Sequence, residues 1–266
     1  MRPLRSYGYV TDVALTRFDG IVEDRGEYLV IRTPSNPTFH WGNYLVFPDA
    51  PDAASLEPWL AIMDREFPRH EVPLFTWDRP DGALGDISGF LARGFELDTS
   101  VILTANHVSP PPRLDPSVAV TAISTDADWD AAADVLVAAF SPRRHGTIED
   151  LTAFVHRQLA RYRRMQDARI GQWYCAWVGS EPAATLGLVD AGQRVGRFQL
   201  VGTDPRFGRR GVCSSLVYEV ARAGLERFDT LVMAADATYH AAKVYESVGF
   251  RPTETLQAVM KKPPAA

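Results

Sequence analysis

The sequence predicts a mixed α/β fold built from two similar halves, each a mostly antiparallel mixed sheet flanked by helices. Runs rich in β-branched residues alternate with amphipathic helical runs along the chain. A break at 106–116 contains three consecutive prolines, which can continue neither a helix nor a central strand. The two halves also end alike, in a helix followed by glycine, an aromatic residue and a β-rich run, at Gly94 and Phe95 and again at Gly249 and Phe250. We therefore predict two domains, residues 1–108 and 109–266.

Each element follows from local periodicity. In the first half we expect strands over 28–32, 43–47, 73–77 and 101–104, and a helix over 54–67. In the second half we expect strands over 119–123, 171–178, 184–189, 197–201, 231–235 and 256–260, with helices over 126–140, over 148–166, from 212 and before Gly249.

The composition is that of a globular protein without affinity for nucleic acid or membrane. Of the 266 residues, 46% are hydrophobic and 23% charged, and the net charge of −5 offers no attraction to polyanions. Two cysteines are too few for a disulfide framework, and no Cys/His spacing suggests a metal site. No apolar run approaches the roughly 20 residues that cross a bilayer, and the first residues lack the apolar region of a signal peptide. We expect a cytoplasmic monomer or homodimer.

The segment 201–250 contains the most informative pattern. A β-branched run ends at Pro205, a glycine–arginine loop follows, and an amphipathic helix begins at Val212. The first turn of a helix has N–H groups without internal acceptors, so this arrangement directs unpaired donors at an anion. Arg209 and Arg210 add positive charge where a pyrophosphate would lie. The sequence thus predicts a phosphate-binding loop.

At these residues the chain resembles the GCN5-related N-acetyltransferase (GNAT) superfamily, as a tandem member. The family loop reads Arg/Gln-x-x-Gly-x-Gly/Ala after a strand-ending proline, and Pro205 stands six residues before Gly211. A later family helix, Asn-x-x-Ala-x-x-Leu-Tyr-x-x-x-Gly-Phe, is matched in register by Ala241, Val244, Tyr245, Gly249 and Phe250. Three positions depart from these patterns, namely Gly208 for Arg/Gln, Cys213 for Gly/Ala and Thr238 for Asn.

The first half lacks the corresponding loop. After its strand at 43–47 comes Pro48-Asp49-Ala50-Pro51-Asp52, an acidic turn without glycine or arginine that would repel pyrophosphate. We therefore predict a degenerate GNAT-like domain without cofactor in residues 1–108 and a catalytic domain in residues 109–266.

The resemblance implies transfer of an acetyl group from acetyl-CoA to an amine. The residues that it assigns to acetyl-CoA or CoA are Val201, Thr203, Gly208, Arg209, Arg210, Gly211, Val212, Cys213, Ser214, Thr238 and Ala241. The backbone N–H near Val201 is the implied donor to the oxyanion, and Tyr245 is the implied general acid, with a core aromatic as the alternative. Cys213 is interpreted as a small packing residue, because no His or Asp stands where it would activate the thiol.

Several assignments stay open at this point. Gln199 stands on the expected fourth strand and cannot act as a base, whereas Asp190, Asp236 and His240 have structural explanations as turn, cap and helix surface. A water-mediated route or a neutral amine is equally consistent. We expect a small-molecule amine as acceptor; the alternatives are a non-catalytic CoA-binding sensor or scaffold, and an enzyme that acetylates protein amines.

The helix over 148–166 carries four arginines, Arg157, Arg161, Arg163 and Arg164. The pattern favours a solvated helix surface. The alternative is a contact with the adenosine-phosphate end of CoA or with an acidic substrate.

Overall fold

The computed structural model describes residues 3–37, 39–68, 72–143, 146–237 and 241–261 and confirms the predicted mixed α/β class. The first half contains α1 (Tyr7–Thr16), β1 (Ile21–Asp24), β2 (Leu29–Arg32), β3 (Tyr44–Phe47), α2 (Leu56–Glu66), β4 (Leu74–Trp77), α3 (Ser88–Ala92) and β5 (Glu96–Ala105). The second half contains β6 (Val118–Ala122), α4 (Asp126–Phe140), α5 (Ile148–Asp167), β7 (Gly171–Val178), β8 (Glu181–Asp190), β9 (Val195–Thr203), α6 (Val212–Gly224), β10 (Thr230–Asp236), α7 (Ala241–Val248) and β11 (Arg251–Met260). None of the helices among the described residues is both long and apolar enough to span a bilayer.

The chain forms two compact units that interleave in sequence. The first comprises residues 1–102, 234–239 and 252–266, and the second comprises 103–233 and 240–251. The last strand, β11, belongs to the first unit because Ala258 and Val259 pair antiparallel with Thr76 and Phe75 of β4. The sequence-based division into domains 1–108 and 109–266 stays a prediction. It separates two sets of sequence patterns and does not describe which residues pack together.

In the first unit, β3 and β4 stay paired to their ends. The parallel register runs from Leu45 opposite Phe75 to Phe47 opposite Trp77, and the Phe47 carbonyl then accepts a hydrogen bond from Asp78 N at 2.8 Å. Trp59 of α2 stacks on Phe47, with ring centroids 3.7 Å apart. This face of the first unit is therefore a closed aromatic core.

Helix α1 has no counterpart among the sequence-based predictions. Its buried positions are Gly8, Tyr9, Thr11, Val13, Leu15 and Thr16, so small and polar side chains interrupt the apolar periodicity on which prediction depends. Ser6 caps the helix by accepting a hydrogen bond from Tyr9 N. The helix is thus specified by its cap and by packing rather than by an apolar stripe.

The predicted likeness of the two helix ends holds at the level of single hydrogen bonds. Phe95 N donates to the Phe90 carbonyl at 3.0 Å, and Phe250 N donates to the Tyr245 carbonyl at 3.2 Å. The intervening glycines have φ values of 80° and 121°, in the range that favours glycine. Both helices therefore end in the same type of cap.

The second unit has the predicted antiparallel meander. Strands β6, β7, β8 and β9 pair in that order, and β10 joins β9 in parallel. Helices α4 and α5 each begin with a capping box, in which Thr125 pairs with Asp128 and Thr147 with Asp150. These caps set the ends of two helices that pack on the meander.

Candidate active site

A bulge interrupts β9 in the second unit. The register with β8 changes between Thr185, opposite Gly202, and Gly187, opposite Gln199. Two residues of β9 thus face one of β8, and Leu200 in the bulge has a φ of 44°. A non-glycine residue at positive φ is uncommon, and bulges re-aim a strand near functional sites. The bulge immediately precedes Val201.

Beyond the bulge, the edge of β9 that faces β10 is open. Among the described residues, the parallel pairing of β9 with β10 covers Val195 to Arg197 opposite Thr230 to Val232. Val201 and Thr203 lie beyond its end. The corresponding strands β3 and β4 of the first unit show no such opening, because they pair to their last residues. An open edge offers backbone donors and acceptors to an extended amide chain.

The loop after β9 begins with a short 3-10 helix over Pro205–Phe207. The buried Asp204 side chain accepts hydrogen bonds from Arg206 N at 2.9 Å and from Arg206 Nε at 3.0 Å. Arg210 lies over the Phe207 ring and 3.7 Å from Asp115. These contacts hold the loop while Gly208, Arg209 and Arg210 remain exposed.

Gly211 allows the loop to turn into α6. It has a φ of 88°, and a Cβ at this position would lie 2.6 Å from the Arg113 carbonyl oxygen. Both the backbone conformation and the close approach therefore require glycine. The neighbouring Ser214 Oγ donates to the Arg113 carbonyl at 3.2 Å, so the segment before β6 packs against the start of α6.

The first turn of α6 has backbone donors without partners inside the helix. Ser215 N is bonded to the Gly211 carbonyl at 2.9 Å, so the preceding amides of Val212, Cys213 and Ser214 come before the first bond of the helix. No side chain caps this end in the described part of the chain. The positive end of the helix dipole and these N–H groups form a site suited to a phosphate.

Cys213 is not an activated nucleophile. Burial raises the pKa of its thiol. A raised pKa keeps the thiol protonated and poorly reactive.

Tyr245 lies on α7 with 5% of its side chain exposed. α7 packs against α6, the helix that begins at the loop. Ala241 is the first residue of α7 in the described chain, and Thr238 lies outside the described residues. The structure therefore brings the residues from Val201 to Ser214 together on one strand–loop–helix segment, with Tyr245 on the helix beside it.

Of the candidates for a base, Asp190 has structural partners. Asp190 accepts from Gly192 N at 2.8 Å and from Arg227 at 2.7 Å, as expected for a turn. Gln199 accepts a hydrogen bond from the Tyr162 hydroxyl at 3.1 Å. His240 lies outside the described residues. The part of the chain that the structure describes contains no group of three metal-ligating side chains.

The arginines of α5 divide into two groups. Arg163 is exposed and pairs with Asp126 at 2.6 Å, in agreement with a solvated surface. Arg161 differs, since it is 6% exposed and its guanidinium lies 5.9 Å from the Tyr162 ring centroid. The prediction of one solvated basic face therefore fails for Arg161, because this residue falls on the apolar side of the helix.

Sequence reasoning did not single out Gln158, which lies on the buried face of α5. Its side chain is 1% exposed, and neither polar atom has a hydrogen-bond partner among the described residues. The only signal in the sequence is a polar residue at a position of the apolar stripe, between Val155 and Tyr162.

Residues 113–239 match the sequence model of the acetyltransferase (GNAT) domain family. No curated protein matches the chain significantly. A functionally unknown conserved protein from Staphylococcus epidermidis has a similar structure, with a TM-score of 0.67 and 12% identity over 91% of this chain and 94% of its own. A GCN5-related N-acetyltransferase from Kribbella flavida aligns with a TM-score of 0.63 and 12% identity over 97% of both chains. A tandem GNAT protein from the clavulanic acid biosynthesis pathway aligns with a TM-score of 0.54 and 15% identity over 98% of this chain and 90% of its own. At such identities the structural likeness concerns the fold.

Proposed function

Because the chain belongs to the GNAT superfamily through residues 113–239, we propose that it is an N-acetyltransferase that uses acetyl-CoA and a small-molecule amine. The observation that carries the proposal is the open edge of β9 at Val201, directly followed by the uncapped first turn of α6 at Gly211. The first feature suits an extended chain of amides, and the second suits a pyrophosphate. When bound, acetyl-CoA supplies a thioester whose acetyl group is transferred to the amine.

The residues present fit this co-substrate. Val201 and Thr203 offer backbone groups on the open edge, and the amides of Val212, Cys213 and Ser214 offer donors at the start of α6. Arg209 and Arg210 are exposed cations on the same loop and add favourable electrostatics toward phosphate. Gly211 keeps this surface free of a side chain.

Two groups of this chain act on the reaction itself. The Val201 N–H, next to the bulge, donates toward the oxygen on which negative charge develops. The Tyr245 hydroxyl delivers its proton to the departing sulfur. The amine loses its proton to water or arrives neutral.

We propose direct attack by the amine in a ternary complex. Covalent transfer through Cys213 is disfavoured by the raised pKa of its thiol. The first unit contributes no second site for acetyl-CoA in this proposal, because β3 and β4 are paired to their ends.

Calorimetric titration with acetyl-CoA and CoA, followed by assay of thiol release with a panel of amines, tests the proposal. We expect saturable binding in the micromolar range, about −8 kcal/mol, and thiol release with at least one class of amine. Absence of binding overturns the assignment of the loop. Binding without thiol release for any small amine or protein lysate favours a CoA-binding sensor instead.

A further inference from the structure

The buried amide of Gln158 lacks a structural explanation. Both its Oε1 and its Nε2 are without hydrogen-bond partners in the described part of the chain, at 1% exposure of the residue. Burial of an unpaired donor and acceptor costs free energy, and native proteins rarely leave such groups unused. A leucine or methionine would fill the same position without this cost. The amide therefore points to a ligand that supplies both a donor and an acceptor.

A polar and aromatic cluster one turn further along α5 sets the surroundings. The Tyr162 ring stacks on Trp173 of β7, with centroids 4.4 Å apart, and its hydroxyl donates to Gln199 of β9. Trp173, Gly187 and Gln199 stand side by side on adjacent strands. A Cβ on Gly187 would run into the Trp173 ring. The missing side chain at Gly187 thus makes room for the stack that orients Tyr162.

Helix geometry then locates Gln158 relative to the bulge. A short turn joins α5 to β7, so the two run in opposite directions, and the Gln166 side chain accepts from Trp173 N at 2.8 Å. Four residues back along a helix is about 6 Å, or about two residues along a strand. Gln158 therefore lies at the level of Cys175 and Thr185, whose partner on β9 is Gly202, close to the bulge at Leu200.

We propose that Gln158 binds the acceptor and selects amines that carry a carboxamide group. The inference rests on the proposed function, since it places the acceptor beside the Val201 amide. A carboxamide matches both the donor and the acceptor of the Gln158 side chain. The neighbouring side chains of Tyr162, Trp173 and Gln199 are uncharged. Tyr162, held by Gln199, is a positioning residue.

The test compares Gln158→Leu and Gln158→Met with the wild type on three pairs of probes of equal shape. The pairs are glycinamide and isobutylamine, 3-aminopropanamide and 3-methylbutylamine, and 4-aminobutanamide and 4-methylpentylamine. Binding is followed by tryptophan fluorescence, for which Trp173 lies beside the subsite, and KM and kcat are followed by thiol release from acetyl-CoA. Each probe is compared between the proteins, so differences in amine basicity cancel.

We expect the wild type to bind at least one carboxamide, and both variants to weaken its binding and raise its KM at least tenfold. The KM of the alkylamines should stay within threefold, and the affinity for acetyl-CoA within twofold. Thermal midpoints equal to or above that of the wild type would show that the variants fold. The inference would be overturned if the Gln158 substitutions affected the carboxamide and the alkylamine of a pair equally, or affected neither. It would also be overturned if the wild type bound no carboxamide.

The two proposals fail in different ways. If the wild type binds a carboxamide through Gln158 but no amine releases thiol, the subsite stands and the acetyltransferase activity is wrong. If alkylamines are acetylated and the Gln158 variants change nothing, the activity stands and the subsite is wrong.

Discussion

Phe90 and Tyr245 occupy equivalent positions at the ends of two helices in the two halves of the chain. Each carbonyl accepts a hydrogen bond from a phenylalanine five residues further on, at 3.0 and 3.2 Å, across a glycine at positive φ. Phe90 is 1% exposed and Tyr245 is 5% exposed. The hydroxyl group is therefore the chemical difference between them, and it occurs in the half that carries the loop.

Tyr245→Phe should accordingly slow turnover without damaging the fold. The first half shows that phenylalanine is compatible with this cap. We expect the turnover number to fall by about ten- to a thousandfold, with the affinity for acetyl-CoA unchanged in calorimetry. Phe90→Tyr is the matched control and should leave turnover unchanged. A Tyr245→Phe enzyme with the wild-type rate would exclude Tyr245 as the general acid.

Gly211→Ala should weaken acetyl-CoA binding. Alanine at a φ of 88° costs about 1–2 kcal/mol, and its Cβ would lie 2.6 Å from the Arg113 carbonyl oxygen. We expect the dissociation constant to rise at least tenfold in calorimetry. Gly179→Ala is the control, because Gly179 has a φ of 63° but no atom within 4 Å of a Cβ. Equal affinities of the two variants would argue against the loop as the binding site.

Gly187→Ala should lower the stability of the second unit by about 1–3 kcal/mol. The new methyl group would overlap the Trp173 ring, which stacks on Tyr162. The thermal midpoint should fall, and the additional change Trp173→Phe should restore part of the loss by shortening the ring. If the double variant loses as much stability as the two single variants lose together, or more, crowding against Trp173 is not the cause.

The stability of the first unit should depend on pH through Glu66. Desolvation alone would raise the pKa of this carboxyl, but hydrogen bonds from Arg32, Tyr28 and Arg25 outweigh it and lower the pKa to about 2. A lowered folded pKa stabilises the protein fully above the unfolded value of 4.5, and this contribution disappears as the pH falls toward 2.

Glu66→Gln should therefore lower the unfolding free energy by about 1–3 kcal/mol at pH 7, and by much less near pH 3. Thermal midpoints of both proteins across this range measure the difference. Glu57→Gln is the control on the same helix, since Glu57 pairs with Arg93 at the surface, where such pairs contribute about 0–1 kcal/mol. A difference in thermal midpoint between wild type and Glu66→Gln that stays constant with pH would contradict the lowered pKa of Glu66.

Much of the candidate site could be predicted because its signals are local. Pro205 ends a strand, Gly211 begins a helix, and the helix before Gly249 ends in a cap that its sequence specifies. The failures are equally instructive. The sequence pattern does not predict helix α1, because small and polar residues interrupt the apolar side chains of its buried face. The pattern places Arg161 at the surface, because charge alone does not reveal the burial of a helix position.

The sequence by itself determined the fold class, the loop and the position of Tyr245, since backbone preferences of glycine and proline and the periods of helix and strand act over a few residues. Only the tertiary structure decided that β9 bulges at Leu200 and opens beyond Arg197, that β11 pairs with β4, and that the Gln158 amide is buried without a partner among the described residues. These features depend on register between strands and on packing between residues far apart in the chain. No local pattern encodes such relations, because the partner of each residue is chosen by the whole fold.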